Sequence, residues 1–166
     1  CVCLAQSLTG LVRQADLQTA LNRFQPEYAI AYTEQMKRRL GIEGKDVQDG
    51  ALIEEFLQLL EQAKADYNFT FLALEHAVAG EAEPVMALLG DNSRVRDWLS
   101  RYLGRININA VQLMSQYNPR VVLRNYLAQQ VIEQAEQGDY SELAKLHAAL
   151  RTPCKEGLSR DFQPVR

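Results

Sequence analysis

Cysteine is scarce, with three in 166 residues. An odd count leaves one thiol over and builds no disulfide framework. Reduced thiols in a cytoplasmic compartment fit better. Nine glycines and five prolines exclude collagen-like and low-complexity chains. No apolar run approaches the roughly 20 residues of a membrane span, and no signal peptide is visible. No stretch alternates with period two, so no sheet is expected. The phosphate-gripping G-x-x-x-x-G-K-[ST], the dinucleotide G-x-G-x-x-G, the zinc-binding H-E-x-x-H and the nucleophile G-x-S-x-G are all missing. A net charge of −3 gives no global pull toward nucleic acid or acidic membranes.

What remains is an ordinary globular composition, 47% hydrophobic and 23% charged, enough for one domain with a core. The chain reads as helix after helix. Residues 2–12 carry Val2, Leu4, Ala5, Leu8, Leu11 and Val12 at helical spacing with no cap upstream. An abrupt start on Cys1 suggests a cut element. Asp16 can cap a short helix through Phe24. Pro26 sits where a first-turn proline belongs, opening a second helix with Tyr28, Tyr32, Met36 and Leu40 four apart and Gly41 as its stop. Residues 42–50 form a loop. Helices follow from Asp49, from Asp66 with His76 turned inward, from Pro84, from Ser93 or Asp91 as cap, and from Asn107 or Asn109. The longest is expected from Asn118-Pro119 to Gly138, with Leu127, Ala128, Val131, Ile132 and Ala135 on one arc and Arg124 in its middle. A charge there needs a partner, so Arg124 reads as buried and paired. Asp139 and Glu142 resemble a capping box for a last helix ending at Pro153. The sum is an all-α irregular array of about seven to eight helices.

Charge is uneven. Residues 43–91 hold eleven acidic side chains against Lys45 and Lys64, and residues 93–124 hold six arginines against Asp97. Arg94, Trp98, Arg101 and Arg105 share a helical stripe. One reading is an anion patch with an aromatic stacker. The favoured reading is a basic face opposite an acidic one in the same domain. His76 and His147 lie far apart, and Cys1-x-Cys3 with Cys154 lacks the four closely spaced ligands of structural zinc. Residues 135–144 (AEQGDYSELA) look like part of a tetratricopeptide repeat, but the expected neighbour about 34 residues upstream is missing.

The segment Asn118–Leu150, NPRVVLRNYLAQQVIEQAEQGDYSELAKLHAAL, closely resembles the C-terminal region of the selenoprotein O family, the kinase-like (pseudokinase) protein adenylyltransferases. Cys3-Leu4-Ala5-Gln6-Ser7-Leu8 is similar to the stretch closing the family's kinase-like part. The Phe24, Tyr28, Tyr32, Met36, Leu40-Gly41 spacing, Ala65-Asp66-Tyr67 and Trp98-Leu99-x-x-Tyr102 agree with the family in order. The resemblance implies a C-terminal helical part of a nucleotidyltransferase that moves AMP or UMP from a nucleoside triphosphate onto hydroxyl side chains of proteins. It implies residues 1–13 as the last, truncated helix of the kinase-like region, 14–152 as a C-terminal helical domain with a packing or regulatory role, and 153–166 as an irregular tail. ATP and magnesium or manganese belong to the full-length protein. Its lysine, glutamate, aspartate and metal ligands have no matching position here, so no catalytic, cofactor-binding or metal residue is assigned. Asn118, Arg124 and Asn125 are singled out for a structural or docking role. The expected partners are the upstream kinase-like domain and, for the whole enzyme, protein substrates, with no nucleic acid and no membrane. The family's terminal cysteine is not matched by Cys154. The alternative is a free-standing, tetratricopeptide-like helical adaptor binding a partner protein.

Overall fold

The computed structural model describes residues 1–155, and the last part of the expected tail, 156–166, lies outside the described residues. Among the described residues there are nine helices and no strand. The chain divides into two compact units, Cys1–Lys37 and the part from Arg38 onward.

The first unit holds α1 (Val2–Ser7) and most of α2 (Gln14–Arg39). The helix expected over 2–12 stops at Ser7, where the Ser7 hydroxyl donates to the Leu4 carbonyl and turns follow. The two helices expected on either side of Pro26 are one, with Pro26 inside it. Proline removes one helical hydrogen bond and crowds the preceding turn. Here neighbouring turns are held by side chains on both flanks: Gln18 donates to Asn22 at 2.8 Å, Arg23 pairs with Glu27 at 2.8 Å, and the Phe24 and Tyr28 rings stack across the proline with centroids 5.8 Å apart.

The second unit carries α3 (Asp49–Ala63), α4 (Tyr67–Val78), α5 (Glu83–Leu89), α6 (Ser93–Arg105), α7 (Ala110–Tyr117), α8 (Asn125–Glu136) and α9 (Ser141–Arg151). Helix α4 packs on α5 and α7, α3 on α5 and α6, and α8 on α9. The centre is an aromatic stack. Phe56 lies 4.9 Å from Trp98 and 5.1 Å from Phe71, and Trp98 is parallel to Tyr102 at 5.0 Å, all four fully buried. Each polar tip has a partner, as burial demands. The Trp98 indole donates to the Leu52 carbonyl at 2.9 Å, and the Tyr102 hydroxyl donates to the Leu40 carbonyl at 2.8 Å. Burial, with the Glu75 charge adding to it, holds the Tyr102 phenol well above its usual range. A smaller cluster, Val121, Leu127, Leu146 and Ala149, closes the α8–α9 hairpin.

Caps follow the expected chemistry where a side chain reaches back. The Asp66 carboxylate accepts from the Asn68 and Phe69 amides, both at 3.0 Å. The cap of α6 is Asn92, neither Ser93 nor Asp91, because its amide oxygen reaches the Val95 N–H at 3.1 Å. Asp139 accepts from the Ser141 amide at 2.9 Å, while Glu142 takes Lys145 instead of closing a capping box.

The largest correction concerns residues 118–138. The helix starts only at Asn125, and residues 119–124 are irregular, bending at Arg120 and reaching Arg124 at φ −103°, ψ 150°. Pro119 disfavours helix at the residue before it. The Arg120 and Val121 amides then turn to one acceptor, the Pro153 carbonyl, at 2.6 and 3.3 Å. Helix α2 is therefore the longest, and Arg124 lies ahead of α8, not in the middle of an apolar arc.

Candidate functional site

This irregular segment sits where the second unit gathers its polar side chains. Asn118 is fully buried. Its amide nitrogen donates to the Arg39 carbonyl at 2.9 Å and to Glu75 at 3.3 Å, and its oxygen accepts from the Arg39 guanidinium at 3.1 Å. Asn68, also buried, donates to the Pro119 carbonyl at 2.9 Å. Arg120 forms a short ion pair with Glu75, whose side chain is only 9% exposed. The Arg39 guanidinium lies 3.9 Å from the Phe71 ring centre and 4.9 Å from that of Tyr67. Such stacking suits the weakly hydrated, planar arginine cation. Residues 39, 68, 75, 118 and 120, distant in sequence, thus form one clasp tying the start of the unit to α4 and to the chain after α7.

Beside it, Arg124 pairs with Asp66 at 2.8 Å and lies 5.6 Å from the Phe69 ring centre. The partner exists, but the burial does not: the Arg124 side chain is 34% exposed. Asn125 stays apart, exposed in the first turn of α8. Of the three residues singled out, Asn118 enters the clasp, Arg124 ties the adjoining cap, and Asn125 does neither. Arg39, Asn68, Glu75 and Arg120 were missed. Glu75 had a signal in the sequence: it is the one acid in the apolar run Phe69–Val78, where a buried charge demands a partner.

Burial pushes the Asp66 carboxyl up, but hydrogen bonds from Arg124 and from the Phe69 and Asn68 amides, with the Arg124 charge, bring it below its ordinary 3.8. A depressed acid stabilises the fold above its unfolded value and loses that contribution as pH falls through the lower, folded value. Asp66→Asn should therefore flatten the loss of stability seen on acidification below about pH 4. Arg124→Ala should cost only about 1 kcal/mol, since the pair is partly solvated. Thermal melts of both variants between pH 2.5 and 7 check this.

A cavity of ≈ 290 Å³ adjoins the clasp, lined by Phe69, His76, Pro84, Arg120, Arg124 and Tyr126 among others. His76 is not turned inward. It is 61% exposed and 3.5 Å from Glu81. Cys154 is half-buried, and that burial holds its thiol above its usual range despite the Arg120 and Arg39 charges nearby, with Glu75 adding to the rise. A thiol so placed is a weak nucleophile.

The basic stripe of α6 is occupied. Trp98 points into the core, so it cannot stack on a ligand. Arg94 donates to Gln58 and Gln62, Arg101 pairs with Glu55 at 2.7 Å, and Arg105 clamps Asp49 at 2.7 Å. The arginines face the acidic α3 of their own unit. Among the described residues no three of His, Cys, Asp and Glu come together as a metal site would require. Among the same residues no helix is long and apolar enough to cross a membrane.

An all-α chain with an internally paired polar clasp leaves its class to be set by comparison with known proteins. The family model for protein adenylyltransferase SelO matches residues 2–151. The chain belongs to that family. A protein nucleotidyltransferase YdiU of Vibrio parahaemolyticus is 35% identical over 162 residues, an alignment covering 90% of this chain and 33% of that protein. The protein of the same name from Salmonella paratyphi B is 38% identical over 157 residues, again 90% of this chain and 33% of the relative. The chain thus spans about a third of the length of the curated relatives it matches. The free-standing adaptor reading is not favoured by these matches.

Proposed function

We propose that these 166 residues are a C-terminal helical portion of a SelO-type nucleotidyltransferase, with a packing or regulatory role and no active site of their own. The observation that carries this is the commitment of the charged groups. Arg39, Arg120, Arg124, Arg101 and Arg105 each hold an acceptor within the second unit. A triphosphate needs unspent cations, and a divalent metal needs grouped oxygen ligands. Among the described residues these arginines are spent on the unit's own acceptors and no three of His, Cys, Asp and Glu group together, which supports a chain that does not itself hold ATP with magnesium or manganese.

In this reading the whole protein moves AMP or UMP from a nucleoside triphosphate to hydroxyl side chains of protein substrates, using ATP and magnesium or manganese. Catalysis resides in a kinase-like domain upstream, which is the partner of these helices. A cytoplasmic location belongs to the same proposal and is supported by three free thiols, Cys1, Cys3 and Cys154. Calorimetric titration of the isolated chain with ATP plus magnesium or manganese should show no micromolar binding. A labelled-nucleotide assay should show no transfer to protein. Micromolar binding, or transfer that survives repurification, would put the active site in this chain and end the proposal.

A further inference from the structure

The first 35 residues include no buried side chain, although they form α1 and most of the longest helix. Helices in proteins are stabilised chiefly by burying an apolar face. Such a face exists on α2. At about 100° per residue, Leu17, Ala20, Leu21, Phe24, Tyr28, Ala31 and Tyr32 share an arc of roughly 120°. Phe24 is 47% exposed and Tyr28 57%, and their stacked rings continue to Tyr32 at 6.0 Å. The other side carries Asp16, Thr19, Arg23 and Glu27, with Arg13–Asp16 and Arg23–Glu27 ion pairs at 2.8 Å. Ile30, 67% exposed, is the one large apolar residue on that polar side, whereas the opposite arc presents a continuous ladder of stacked aromatics to water. Contiguous exposed apolar surface of this kind marks interaction sites, and aromatic anchors supply most of their binding energy.

From this we infer that the Phe24–Tyr28 face of α2 is a docking surface, and that its occupant is an apolar groove on the kinase-like part of the nucleotidyltransferase. The inference rests on the function proposed above and adds the residues that make the contact. The matched relatives carry about two thirds of their length outside the region this chain aligns with, which supplies a partner of sufficient size. The charges flanking the ring ladder pair with one another, so the contact is apolar and aromatic, not electrostatic.

The test uses the Salmonella paratyphi B relative with its matched 157 residues replaced by this chain, beside the chain alone. Both carry Cys1, Cys3 and Cys154 as serine and a probe cysteine at Tyr28→Cys or, on the polar side, Thr19→Cys. Maleimide labelling is read by mass spectrometry of the probe peptide. Tyr28→Cys should react at least about tenfold more slowly in the chimera than in the isolated chain, with Thr19→Cys nearly unchanged; tenfold corresponds to about 1.4 kcal/mol of burial. If position 28 stays open while the chimera melts as one cooperative unit, the docking face is wrong and the packing role stands. If it stays open and the chimera melts in two steps, both fall. Protection at position 28 in the isolated chain that grows with its concentration would make a second copy the occupant and overturn the inference. Hydrogen exchange on the isolated chain is independent of the chimera. Residues 14–32 should exchange far faster than α3 and α6, and equal protection would show that the segment needs no partner.

Discussion

Gly41→Ala should be among the most damaging single substitutions in this chain, costing about 3 kcal/mol. Two separate penalties add. Gly41 has φ +68°, the left-handed region where a side chain costs about 1–2 kcal/mol. A Cβ there would also lie 2.8 Å from the Ala110 Cβ and 2.9 Å from the Ala110 carbonyl oxygen. Overpacking of that kind costs a further 1–3 kcal/mol or so. Just past the end of α2, Gly41 has the start of α7 directly against it. At roughly 2–4 °C per kcal/mol for a chain of this size, the melting temperature should fall by about 10 °C. Ala110→Gly should rescue Gly41→Ala only in part, since it removes one clash but leaves the carbonyl oxygen and the positive φ. Full rescue, or an unchanged melt in the single variant, would contradict the close approach. Gly44 has a similar φ of +71° with open space around it, so Gly44→Ala should cost only the conformational part, about 1–2 kcal/mol.

Glu75→Ala should cost about 3–5 kcal/mol, the range for removing one partner of a buried ion pair. The Glu75 and Arg120 side chains are 9% and 17% exposed, and Glu75 also accepts from Asn118. Truncation leaves a guanidinium and an amide short of an acceptor away from water. Glu75→Gln keeps the shape and one acceptor, so it should lose distinctly less. Arg120→Ala should fall in the same range, and the double variant should lose less than the sum of the two, because the second truncation removes a charge already stranded. Denaturant melts of the four proteins form the cycle. Additive losses would mean that the two side chains do not act as a pair.

Much of this fold was legible because helix signals are local. Asp66 capping α4, Pro84 in the first turn of α5 and Gly41 ending α2 each work within a few residues. The misreadings share one cause. Pro26 has the same local signature whether it opens a helix or interrupts one, and the difference lies in the Phe24–Tyr28 stack across it. Asn118–Arg124 has apolar residues at helical spacing, yet its backbone groups and side chains are claimed by Pro153, Asn68, Arg39, Glu75 and Asp66. None of those partners is near in sequence, so no window along the chain contains the information. The clasp was legible only as two oddities, an acid within an apolar helix and an Asn-Pro-Arg triplet among hydrophobics.

The hydrogen bonds that close the second unit also set how quickly it can form. Arg39 reaches Asn118 across 79 residues, Tyr102 reaches Leu40 across 62, and Trp98 reaches Leu52 across 46. Helical proteins usually fold fast because their contacts are local. Here the individual helices can form within about a microsecond, but the aromatic stack and the clasp require long loops to close first. Each doubling of loop length adds about 0.6 kcal/mol of closure entropy. Refolding in stopped flow should therefore separate helix formation from the slower burial of Trp98, whose fluorescence reports the moment α3 and α6 meet.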